Sequence, residues 1–134
     1  MSRAPRPGSI AIDGVTGPHA IKVNGVYELT DEVCSGLPVF QKKTESDIWV
    51  EYSESRWRVL STPYRGTTSC YVNFASGRPC LPQDCVGEWR VDMSNGFEFV
   101  SAVTVTLLSA LPSHLQTAIE EAQLLYDNEV SSYI

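Results

Sequence analysis

"DIWVEYSESRWRVLS", residues 47–61, is the stretch that decides the fold class. Ile48, Val50 and Tyr52 alternate with Trp49 and Glu51, and beyond Glu54-Ser55 the alternation resumes, with Trp57 and Val59 set against Arg58 and Leu60. A period of two belongs to a strand with one buried face, so the segment predicts a β-hairpin. "LPVFQKK" (37–43) supplies the preceding strand, with Pro38 at its start or on an edge. "CYVNF" (70–74), "EWRV" (88–91) and "FVSAVTVTLL" (99–108) supply later ones. Ser94-Asn95-Gly96 reads as a hairpin turn, because Asn-Gly suits the type I′ turn with its two positive φ angles. Asn24-Gly25, inside strand-like "IKVNGVYELT" (21–30), reads as a tight turn or bulge with no reactive group in reach. The tripeptide Trp-Arg-Val occurs at 57–59 and again at 89–91, a weak trace of duplication because its flanks do not align.

After Pro112 the period changes. Leu115, Ala118, Ile119, Ala122, Leu125 and Tyr126 fall on one face of a helix expected over 113–129, with Ser113 and Gln116 fitting a capping box. The fold expected is therefore mainly β: an antiparallel β-sandwich or partly open barrel of seven to nine strands with one C-terminal amphipathic α-helix. Residues 1–8, rich in Pro and Arg, read as a flexible arm, and 9–134 as a single β-rich domain.

The 134 residues suffice for one core. A net charge of -6 repels phosphate backbones and argues against a nucleic-acid partner. No apolar run approaches the roughly 20 residues of a membrane span. The basic start "MSRAPRPGS" is followed by no apolar signal region, so a cytoplasmic address is expected if Met1 is the native start.

Chemistry-bearing residues are sparse. His19 and His114 belong to no local motif, and Cys34, Cys70, Cys80 and Cys85 are spaced unlike a secreted disulfide framework, so all four are expected as thiols. "CLPQDC" (80–85) has the wrong spacing for a zinc ribbon; no metal ligands, cofactor or catalytic residues are expected. Glu45, Asp47, Glu51 and Glu54 read as solvated charges that keep a sheet edge soluble. Trp49 points away from Ile48, Val50 and Tyr52. Trp49 or Tyr52 exposed beside Arg56 and Arg58 would make a protein-interaction site, the alternative being aromatics packed in the core under the terminal helix. The terminal "SSYI" (131–134) has the form of a segment that adds a strand to a PDZ-type groove.

Together these residues resemble a β-rich module of about 90 residues found in proteins of algae, oomycetes and other protists. Gly14 and Gly17, then Asn24, Gly25, Tyr27 and Thr30, then Gly36, Pro38, Val39, Phe40 and Lys42 or Lys43, fit its pattern. So do Trp49, Tyr52, Trp57, Val59, Trp89 and Val91, which carries the resemblance from about Ile10 to Val105. Phe40 stands where the module usually has Tyr, and the terminal helix lies outside it. The modules occur singly, in tandem or attached to kinase and repeat domains, with no settled activity, so the resemblance implies an accessory role. The expected function is a non-enzymatic protein-interaction or scaffold module of a unicellular eukaryote, with a protein partner. A small-ligand binder for carbohydrate or lipid and a cysteine-dependent enzyme are the alternatives.

Overall fold

The computed structural model describes residues 7–75, 78–85 and 87–131, with side chains as far as residue 129. Residues 1–6 of the expected arm and the tail after Ser131 in "SSYI" lie outside them. Order reaches back before Ser9: Gly8 is buried and its N–H donates to the Ala110 carbonyl at 3.1 Å.

Among the described residues nine strands form one antiparallel sheet: β1 (Ile10–Asp13), β2 (Gly25–Cys34), β3 (Leu37–Lys42), β4 (Ile48–Ser53), β5 (Arg56–Ser61), β6 (Val72–Ala75), β7 (Trp89–Asp92), β8 (Phe97–Phe99) and β9 (Thr104–Leu107). Its order is β8-β7-β6-β5-β4-β3-β2-β1-β9, an up-and-down run curled into a half-barrel. Of the two architectures read from the sequence, the open barrel is the one adopted. Two hairpins turn through paired left-handed residues, Ser35-Gly36 between β2 and β3 and Glu54-Ser55 between β4 and β5. At Ser94-Asn95-Gly96 the hairpin is present but the turn differs. Met93 N–H donates to the Gly96 carbonyl, and of the two residues between them only Ser94 has a positive φ, 74°.

Inward-facing residues fill the half-barrel in cross-strand rows. Tyr52, Trp57, Phe74 and Trp89 form one such row, with ring centroids 5.3 Å apart for Tyr52–Trp57 and 4.8 Å for Phe74–Trp89. Each aromatic pair adds about 0.5–1.5 kcal/mol beyond area burial. This row explains the doubled Trp-Arg-Val. β5 and β7 both flank β6, so each tripeptide places Trp beside Phe74, Arg outward beside Asn73 and Val beside Val72.

Two helices pack on the half-barrel and contribute to its core. Helix α1 (Ala20–Val23) occupies a segment that reads as strand; Asn24 holds its loop by pairing with both backbone groups of Val15, and Lys42 Nζ donates to the carbonyls of Ile21 and Lys22. Those contacts satisfy helix-end carbonyls with the buried Lys42 side chain, and they outweigh the strand propensity of an Ile-Lys-Val run. Against the sheet lies α2 (Ser113–Ser131), burying Leu115 and Ile119 while Leu124 and Leu125 stay exposed. No capping box is found there: the Gln116 side chain donates to the Leu111 carbonyl.

The run 99–108 is two strands, not one. After Phe99 the chain turns through 100–103 and crosses to pair with β1 on the opposite edge of the sheet. Five Cα steps span at most about 17 Å, so the two edges approach each other there. Gly14 (φ 83°) makes room for this crossing, since a Cβ on it would overlap the Ala102 carbonyl.

Candidate functional site

The outer face of the sheet carries a strap. Beyond a 3-10 turn at Thr62–Tyr64, Arg65 Nε donates to Glu51 Oε1 at 2.8 Å, its Nη1 donates to Glu32 Oε2 at 3.2 Å, and Gly66 N–H donates to Glu51 Oε2. The Arg65 guanidinium also lies 4.1 Å from the Trp49 ring centroid, and the Trp49 indole donates to Thr62 Oγ1. Burial works against the Arg65 charge, but Glu32 and Glu51 outweigh it and hold the guanidinium above its ordinary range. Glu51 is therefore not one of the solvated carboxylates: it is 2% exposed and its charge is met by the strap.

The four residues read as a binding face separate. Trp49, Arg56 and Arg58 share the outer face, but Trp49 is half covered by Arg65 and Arg58 is 5% exposed, its Nη1 donating to the Ser53 carbonyl and Oγ. Arg56 Nη1 donates to Asn73 Oδ1 at 3.1 Å. Tyr52, 5% exposed, is in the core against Trp57. Tyr52 and Arg58 are thus withdrawn from any accessible surface, because strand alternation turns the first inward and local acceptors engage the second.

Beside the strap is a cavity of about 250 Å³, with Leu60, Tyr64, Cys70, Tyr71 and Asp92 in its lining. His19 adjoins it, Nε2 3.2 Å from Asp92 Oδ2 and its ring 4.7 Å from that of Tyr71. Among the described residues no hydrogen bond joins a cysteine to a histidine. Burial pushes the Cys70 thiol up, against the pull of Arg58 and a hydrogen bond from Asn73; burial, then Glu51, pushes Cys34 up. A nucleophilic thiol needs the opposite shift. No group of three or more His, Cys, Asp and Glu among the described residues is arranged to hold a metal ion, and no helix is long and apolar enough to cross a membrane.

Cys80 and Cys85 are paired as a disulfide, which overturns the reading of four thiols. The 3-10 turn Pro82–Asp84 brings their Cα atoms to 6.0 Å, within bonding range for a disulfide. The bridged loop is built into the fold: Cys80 accepts from the Trp57 indole at 2.7 Å, and Pro79 accepts from Gln123 of α2.

The sheet's two edges differ. β9 packs against the Pro82–Asp84 turn, so a loop approaches it. Among the described residues β8 has a neighbouring strand on one side only, and all three of its own residues are exposed. Phe97 (43% exposed) and Phe99 (50%) stand on its outer face, opposite Asp92 and Arg90, while Glu98 is opposite buried Val91. Met93 N–H to Gly96 and Val100 N–H to Trp89 set the hydrogen-bonding phase of the β7–β8 pair. By alternation Glu98 spends its backbone groups on β7, and those of Phe97 and Phe99 point to the free side. A terminal strand taken to begin at Phe99 hides this edge; its signal in the sequence is Phe-Glu-Phe straight after a hairpin turn. The chain matches no family model, no curated protein and no solved structure.

Proposed function

We propose that the protein is a non-enzymatic interaction module that takes an extended segment of a partner protein as a tenth strand along β8. The observation that carries this reading is a sheet edge beyond which no strand lies among the described residues, its outward backbone groups belonging to two exposed phenylalanines. Strand addition derives affinity from main-chain hydrogen bonds and specificity from the side chains beside them. Phe97 and Phe99 provide the aromatic contact area, and Arg90 and Asp92 form a polar border to it. A half-barrel filled by Tyr27, Phe40, Trp57 and Phe74 leaves its interior to packing, which favours an edge over an internal ligand site. The net charge of -6 favours a protein over a nucleic acid. The likeness to accessory modules of protist proteins points the same way.

Selection of random linear peptides on the immobilised protein tests the reading. Selected peptides are expected to lose binding to the double variant Phe97→Ser/Phe99→Ser, whose thermal midpoint should match the parent because both side chains are exposed. Peptides that bind parent and variant alike would refute it.

A further inference from the structure

We infer that the segment received by β8 carries a basic residue between two apolar ones, with the basic side chain set against Glu98; this inference rests on strand addition at that edge. The phase of the β7–β8 ladder fixes the register chemistry of any incoming antiparallel strand. Phe97 and Phe99 offer their N–H and C=O groups outward, so their opposite numbers in the partner form hydrogen-bonded pairs. The residue opposite Glu98 then falls in a non-hydrogen-bonded pair, where Cα atoms are only about 4.5 Å apart and side chains meet most closely.

Glu98 has no hydrogen-bond or ion-pair partner among the described residues, and its cross-strand neighbour Val91 is apolar. Its charge is on the inward side of the sheet but at the open edge, where it stays exposed. A charge so placed works against edge-to-edge pairing of like strands. Two copies of β8 paired in the register that matches all three residues would put Glu98 against Glu98, a like-charge pair at closest approach. A second copy of this chain is therefore disfavoured, and a strand with Lys or Arg at that position is favoured. On the outer side, residues opposite Phe97 and Phe99 share their face, so apolar or aromatic side chains fit there. The pattern required is apolar–basic–apolar. The surplus of acidic residues over the whole chain steers the same kind of segment toward the protein at low salt.

The test uses three synthetic strand-forming peptides, identical except for a central lysine, serine or glutamate flanked by valines, titrated against the parent protein and against Glu98→Lys. The parent should bind the lysine peptide about fivefold more tightly than the serine peptide, and the glutamate peptide least. Glu98→Lys should reverse that order, binding the glutamate peptide most tightly and the lysine peptide least. Equal affinity for all three peptides, lost in Phe97→Ser/Phe99→Ser, would overturn the charge rule and leave strand addition standing. Binding of none of them would overturn both.

Discussion

Arg65 Nε lies 2.8 Å from Glu51 Oε1, so a buried carboxylate on β4 is neutralised by a residue that reaches it only because the chain folds back over the sheet. Arg65→Ala would leave that carboxylate unmatched and should cost about 3 kcal/mol. The double variant Glu51→Leu/Arg65→Met, which removes both charges, should cost much less. Urea unfolding of the three proteins checks this; equal losses in the single and double variants would show that the strap is held by something other than the ion pair.

Glu54 and Ser55 both occupy the left-handed region, with φ of 51° and 62°. Neither residue suits it, and the penalty is roughly 1–2 kcal/mol each before local compensation. Replacing the pair by Asn-Gly should raise stability by about 1 kcal/mol in thermal unfolding. No gain would mean that the Glu54 contact with Arg58, 3.9 Å, matters more than the turn.

Removing the Cys80–Cys85 bridge with two serines should cost about 2 kcal/mol, as for a short closed loop. Because this loop accepts the Trp57 indole hydrogen, the loss should be accompanied by a change in tryptophan emission. Persistent structural disulfides belong to oxidising compartments, in tension with the cytoplasmic address expected from the amino terminus. Thiol trapping in the native cell decides between them: two free thiols per chain if the bridge is kept, four if the compartment is reducing.

Cys34 and Cys70 are both held above the ordinary thiol range by burial, with Glu51 adding to the shift at Cys34. Less thiolate is present at neutral pH, so iodoacetamide should modify both more slowly than free cysteine, and the rate should climb only as the pH passes the usual thiol value. Modification of Cys70 faster than free cysteine would revive a cysteine-dependent activity in the cavity beside His19.

The hairpin at 47–61, the strand character of most of the chain and the terminal helix were legible because alternation and helical period record which face is buried. The site was less so. Trp49 and Tyr52 occupy opposite faces by that same alternation, yet an accessible surface also depends on what folds over it, and Arg65 comes from 16 residues beyond Trp49. Glu51 looked solvated because its partner lies across a loop and not along its strand. The break between β8 and β9 is hidden since both pieces are rich in apolar and β-branched residues; only the crossing over Gly14 separates them. An edge is a property of the assembled sheet, and no local period encodes it.

Strand addition at β8 can be read residue by residue from backbone amide exchange, with and without the lysine-centred peptide at saturation. Strand addition predicts that Phe97 and Phe99, whose N–H groups face outward, become protected at least about tenfold, while Glu98, already paired to β7, changes little. Uniform protection of all three amides, or no protection at Phe97 and Phe99 while the peptide is bound, would contradict it.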